Sequence, residues 1–189
     1  MDDPNIPTRK ESMQLLANQN LPKNLMEHIF IVNKIAVFLA EQLRNSGTAS
    51  INTDLVDKAS LLHDIAKPVD FGRNTNLHPR VGADMLAKKG YLEIAEIIKK
   101  HTITSVLAPL QKDKLSTWEE KIVFYADKRE NEGKIVSVKE RLLGWREMQK
   151  PMEFEKYYSA VSALEREIFG QLNFRPDQLT EKMLKSEID

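Results

Sequence analysis

Cysteine is absent from this 189-residue chain. That removes a disulfide framework, a thiol nucleophile and any thiolate metal site, so a bound metal would have nitrogen and oxygen ligands. No apolar stretch approaches the roughly 20 residues of a membrane span. The opening MDDPNIPTRK is acidic and has no signal-like apolar segment, so the expectation is a cytoplasmic protein that does not enter a membrane. Neither charge is in excess, since 28 Lys and Arg balance 28 Asp and Glu. Such neutrality gives no reason to expect a nucleic-acid polymer as partner, but it leaves room for a small basic pocket that takes one phosphate. Histidine is scarce too, with four in the whole chain. What the chain has is 41% hydrophobic residues, enough to build a core.

The hydrophobic spacing is helical almost throughout. Thr8 with Glu11 three residues later reads as a capping box for a first helix. Pro22 opens a long second one in which Leu25, Ile29, Val32, Ile35, Ala36 and Leu39 recur at helical spacing, with Gly47 just past its end. Asn52 or Thr53 caps a third, predicted to run through LLHDIAK to Pro68 with Leu55, Val56, Ala59, Leu62 and Ile65 on one buried stripe. A polar loop, VDFGRNTNL, follows. His78-Pro79 starts a fourth helix, and Gly90 separates it from a fifth, YLEIAEIIKKH. After the loop-like SVLAPLQKDKLS, Trp118 begins WEEKIVFYADKREN. Beyond Gly133 the pattern predicts helices over VSVKERLLGWREMQK and FEKYYSAVSALEREIFGQLNF, and a last one opened by Pro176. There is no internal repeat and no convincing series of strands. The fold expected is all-α, in a single domain over 1–189 with a helical extension at 136–189.

The four histidines, His28, His63, His78 and His101, fall in or at the edge of four different predicted helices. His63 is followed directly by Asp64 on a buried stripe. Asp127 borders the buried face of FYADKR, where an unpaired carboxylate would be costly. Any one of these histidines alone is more commonly a hydrogen-bonded core residue than a ligand, and Asp64 alone could cap a neighbouring helix. Taken together they are candidates for a cluster of imidazoles and carboxylates, a donor set suited to Fe, Mn, Co, Zn or Mg.

The order His28, then His63-Asp64, then Asp127 resembles the H…HD…D signature of the HD-domain metal-dependent phosphohydrolase superfamily. LLHDIAKP looks like that family's metal-binding helix, and FYADK resembles its final aspartate segment. The resemblance covers about residues 20–130. It implies a compact helical bundle in which His28, His63, Asp64 and Asp127 hold a divalent metal. His78 and His101 match two further histidines that some subfamilies use for a second metal, with Asp64 bridging the two. Within the superfamily the chain is similar to small bacterial hydrolases of the symmetrical diadenosine tetraphosphatase type, although Lys128 and Arg129 stand where that group more often has a glutamate.

The resemblance implies hydrolysis of a phosphoester or phosphoanhydride in a small, nucleotide-like molecule. Asp64 would orient the water as well as bridge, and Lys67, one turn beyond, would reach the phosphate as a catalytic point charge. Lys67, Arg80, Arg129 and Thr102 are the phosphate-binding candidates, with Arg73 in the preceding loop as a further one. Phe71, Tyr91 and Trp118 are available for stacking or packing. Two other readings stand beside the enzyme: a nucleotide-binding sensor with weak turnover, and a helical interaction protein that holds no metal. The terminal helices would suit a homodimer.

Overall fold

The computed structural model describes residues 5–47, 50–72, 76–107, 114–145 and 150–185. Within them the chain is almost entirely helical. The helices are α1 (Arg9–Ala17), α2 (Lys23–Asn45), α3 (Thr53–Leu62), α4 (His78–Ala87), α5 (Leu92–Lys99), α6 (Trp118–Asp127), α7 (Val138–Leu143), α8 (Pro151–Phe169) and α9 (Glu181–Lys185). One two-stranded hairpin, β1 (Glu130–Asn131) with β2 (Lys134–Ile135), follows α6. The helix starts follow local chemistry. Thr8, Thr117 and Ser137 each close a capping box with a glutamate three residues on, Asn52 caps α3, and prolines sit in the first turns of α4 and α8.

The long α2 is the axis. Its apolar face, with Ile29, Val32, Ile35, Ala36 and Leu39 fully buried, packs on α3 and α6. Helices α4 and α5 pack together as a pair, and α5 rests on α3 and α6. Gly82 permits the approach of α4, because a Cβ there would lie 3.2 Å from Ile65 Cγ2 and 3.3 Å from Ile98 Cδ1. The later helices join the same core: α8 packs on α6 and α7, burying Phe154, Val161, Leu164, Ile168 and Phe169, and α9 touches α2.

Several sequence expectations change. The third helix stops at Leu62 instead of running to Pro68. The chain continues in tight turns, with Ile65 N donating to Leu62 O and Lys67 N to Asp64 O, and then a 3-10 turn over Lys67–Asp70. The cause is local. The His63 ring donates through Nδ1 to Ser60 O at 2.7 Å, competing for a carbonyl that the next helical turn would use. The sixth helix ends at Asp127, where the sequence pattern continued to Asn131. Pro176 opens only a 3-10 turn, Pro176–Gln178, and the last helix begins at Glu181.

A buried ion pair fixes how α5 meets α6. Lys100 Nζ lies 2.6 Å from Glu120 Oε1, with both residues buried. The other oxygen of Glu120 accepts from Ser116 N (2.7 Å) and Thr117 N (3.3 Å) at the start of α6. Burial alone would raise the Glu120 carboxyl, but the hydrogen bond from Lys100 and those backbone donors hold it below its ordinary value of 4.5. The folded state therefore binds this proton less readily than the unfolded chain. The stabilisation is complete above pH 4.5 and is lost as pH falls through the lower folded value. Lys100→Met should lower the unfolding free energy by about 3 kcal/mol at neutral pH and flatten the acid limb of the stability profile. Urea unfolding between pH 3 and 7, an estimated range chosen to bracket carboxylate titration, measures both; unchanged curves would refute the assignment.

Candidate metal centre

Four helix ends and one hairpin build the site. His28 projects from the second turn of α2. His63 caps the C-terminus of α3, and Asp64 follows in the turn. His78 is the first residue of α4, and His101 lies just past the end of α5. Asp127 closes α6. His101 repeats the device seen at His63, its Nδ1 donating to Ile98 O three residues back at 2.5 Å. In both cases the imidazole takes up a carbonyl at a helix end and ends the helix by the same contact.

All four rings are oriented alike. The Nδ1 atoms of His28 and His78 face carboxylates, Glu130 Oε2 and Asp70 Oδ2, the second at 2.6 Å. Those of His63 and His101 face the carbonyls of Ser60 and Ile98. A carbonyl or an ionised carboxylate only accepts, so each Nδ1 carries a hydrogen and each ring turns its Nε2 inward. There the Nε2 atoms crowd. Nε2 of His63 is 3.3 Å from Nε2 of His28, and Nε2 of His78 is 3.0 Å from Nε2 of His101.

Asp64 stands between the two pairs. Its Oδ2 lies 3.7 Å from Nε2 of both His28 and His63, and its Oδ1 lies 3.0 Å from His78 Nε2 and 3.4 Å from His101 Nε2. Two triads result, His28–His63–Asp64 and Asp64–His78–His101. The Asp64 Oδ1 atom is buried without a hydrogen-bond partner. Once His28 has given up its second proton, Nε2 lone pairs facing one another at these distances repel, and a cation between them reverses the sign. Ligands at right angles around one ion, each about 2.1 Å from it, sit about 3 Å apart, so the donor set fits one or two divalent ions. Asp127 stands beside the first triad, its Oδ1 3.1 Å from His28 Nε2 and 3.9 Å from His63 Nε2. Its other oxygen pairs with Lys128 Nζ, which also donates to His101 O at 2.9 Å.

Charge is distributed unevenly around this centre. Burial pushes His63 down to about 4 and also lowers His101, so both are neutral at pH 7. Burial opposes protonation of His28 as well, but the hydrogen bonds to Asp127 and Glu130 raise it to about 9. Asp64 and Asp127 would be raised by burial; interaction with the His63, His101 and His78 rings holds Asp64 well below the usual range, and Lys128 and His28 do the same for Asp127.

The site opens into a cleft of about 1140 Å³. Lys67, partly exposed, lines it with Nζ 3.6 Å from Asp64 Oδ1 and 3.4 Å from His78 Nε2. Thr102 also lines it, its hydroxyl 3.0 Å from that of Thr104. Arg129 does not enter the cleft. It is buried on the opposite side, donating to Val136 O (2.6 Å), Tyr125 Oη (2.5 Å) and Pro176 O (2.9 Å), so its fork is engaged by the protein itself. Arg80 is exposed on α4 and is not part of the cleft lining, and Arg73 lies outside the described residues. Of the three aromatic candidates Phe71 lines the cleft and Tyr91 and Trp118 do not, whereas Trp145 and Tyr157 do.

Sequence reasoning missed Asp70 and Glu130, the carboxylates behind His78 and His28. Glu130 had a signal, since it follows Asp127 by three positions. The hairpin holds it in place: Glu132 (φ 50°) and Gly133 (φ 83°) form the left-handed turn, and Gly133 N donates to Glu130 Oε1 at 2.7 Å. The carbonyls behind His63 and His101 leave no mark in a sequence.

The HD domain family model matches residues 25–132, more than half of the chain. The chain belongs to the HD-domain family. No curated protein and no solved structure matches it. The matched segment spans His28 to Asp127, the region that supplies both triads of this HD domain.

Because the ligands must give up protons, metal binding is linked to pH. With His28 protonated up to about pH 9 in the metal-free protein, binding at the first triad at pH 7 should release close to one proton. The apparent affinity for Mn or Zn should rise with pH until that group has titrated. Calorimetry in buffers of different ionisation enthalpy counts the protons, and a pH-independent affinity would contradict the assignment. Metal analysis of protein purified without chelator should show loss of the first ion in His63→Ala and about half the metal content in His101→Ala.

Proposed function

We propose that this HD domain is a metal-dependent phosphohydrolase acting on a phosphoester or phosphoanhydride in a nucleotide-like small molecule. The observation that carries this reading is the position of Asp64, which turns one carboxylate oxygen to each imidazole pair, with Lys67 at the edge of the open cleft beside it. The residues proposed to hold metal are His28, His63, Asp64 and Asp127 at the first position and Asp64, His78 and His101 at the second.

A divalent ion held there supplies Lewis acidity toward a phosphoryl oxygen and lowers the pKa of a water. The protein's part is positioning. Asp64 Oδ1, buried and without a hydrogen-bond partner, accepts from the attacking water and orients it. Lys67 sets its ammonium against a non-bridging phosphoryl oxygen, where negative charge gathers. The Thr102 hydroxyl hydrogen-bonds the same phosphoryl group. Asp70 and Glu130 keep the His78 and His28 rings in the ligating orientation. The cleft admits a nucleotide, being slightly above the roughly 300–1,000 Å³ of small-molecule sites. Phe71, Trp145 and Tyr157 on its walls are the surfaces on which a base would stack.

The test is turnover by metal-reconstituted protein on nucleoside monophosphates, cyclic nucleotides and symmetrical dinucleoside polyphosphates, including diadenosine tetraphosphate. Lys67→Ala should retain the metal content and lose about 10²–10³-fold in kcat/KM. Tight nucleotide binding without turnover on the whole panel would favour the sensor. A wild-type protein that takes up no Mn, Fe, Co, Zn or Mg would sink both.

A further inference from the structure

Beyond the metal triads the cleft carries a second concentration of positive charge, and its principal member, Arg141, is incompletely satisfied. Arg141 projects from α7 into the cleft lining. Its Nη1 donates to Asn131 Oδ1 at 2.8 Å, while its Nε is enclosed with no hydrogen-bond partner. No carboxylate among the described residues lies within ion-pair distance of it, whereas Arg9 and Arg175 pair with Asp57 and Asp177. An enclosed donor without a partner is destabilising, and more so in a charged group. The protein keeps this guanidinium in place by packing it against the Trp145 ring, with Cζ 5.2 Å from the ring centroid.

Trp145 links Arg141 to the metal centre. Lys128 Nζ lies 5.4 Å from the same ring centroid, and Lys128 is the cation paired with Asp127 and bonded to His101 O. A second connection runs through the hairpin, since Asn131, the acceptor of Arg141, follows Glu130, the carboxylate behind His28. Glu27, Glu132 and Glu153 line the same cleft, so the positive region is local and does not extend over the cleft as a whole.

We propose that Arg141, backed by Trp145 and Lys128, is a second phosphoryl-binding subsite, and that the substrate carries at least two linked phosphoryl groups, one at the metal triads and one on the Arg141 fork. This deepens the phosphohydrolase reading and rests on it. The planar guanidinium is the reason to assign a phosphoryl group: Nε is enclosed, so the edge that can meet a ligand in the cleft is the Nη pair, whose parallel N–H donors match two phosphoryl oxygens. Arg141 thereby selects phosphoanhydrides over monoesters and takes no part in the bond cleavage.

Equilibrium binding of inorganic phosphate and of inorganic pyrophosphate to the metal-loaded protein, dialysed free of excess metal, tests this without turnover. Wild type should bind pyrophosphate at least about tenfold more tightly than phosphate, one charged fork contact being worth about 1.5–3 kcal/mol. Arg141→Gln should abolish that preference and leave phosphate affinity and metal content unchanged, and Arg141→Lys should restore part of it by keeping the charge without the fork. With a nucleoside triphosphate as substrate, Arg141→Gln should raise KM by a similar factor with little change in kcat. Thermal unfolding of each variant checks that the fold persists; if Arg141→Gln does not fold, the Arg141→Lys comparison alone decides. Equal pyrophosphate preference in wild type and variants would overturn the subsite and leave the phosphohydrolase reading intact. Failure of the metal-loaded wild type to bind either anion would overturn both.

Discussion

Asp64 is an ionised carboxylate with 3% of its surface exposed, and the rest of the site is arranged around that charge. A buried carboxylate is sustained only by partners that offset its lost hydration. Here imidazoles stand around it in two pairs, one pair for each oxygen, and the Lys67 ammonium lies 3.6 Å from Oδ1. The helices that deliver them, α2, α3, α4 and α5, approach from different directions, and their packing has to bring four ring nitrogens to one small volume. Gly82, which allows α4 to lie close to Ile65 and Ile98, belongs to that requirement as much as the ligands do.

The rings are held by contacts that also shape the backbone. His63 and His101 each take a carbonyl three residues back, so the end of α3 and the end of α5 are built into the orientation of the imidazoles. His28 and His78 are aligned by carboxylates brought from other segments, the hairpin and the 3-10 turn Lys67–Asp70. Two local and two long-range constraints thus give the same result, a hydrogen on Nδ1 and an Nε2 facing inward.

Helix starts were legible in the sequence because capping is local: Thr8 with Glu11, Asn52 and the proline after His78 announce their helices within a few residues. The end of α3 was not legible, since it depends on which way one imidazole turns. The ordered histidines and aspartates were visible because each is a distinctive residue in a recurrent order. The choice among cations was not. Lys67 could be placed by its distance from Asp64 along the chain, but Arg129 and Arg141 differ only in which side of the α6–hairpin junction they reach. Sequence proximity to Asp127 favoured Arg129, and packing sent it to the other face. Trp145 and Tyr157 entered the cleft from segments that carry no HD signature, through the fold of α7 and α8.

The location of Arg129 bears on where this domain ends. The family match stops at residue 132, yet Arg129 donates to Pro176 O, and Tyr125 on α6 donates to Glu165 on α8 at 2.6 Å. Tyr125 and Phe169 also meet edge to face, with centroids 5.8 Å apart. A chain cut at the family boundary would keep every histidine and both aspartates of the site, but it would expose the far side of the helix that carries Asp127 and strand a buried guanidinium. The family match thus ends inside a packed region, and α8 and the Pro176 turn form a back wall behind the helix that carries Asp127.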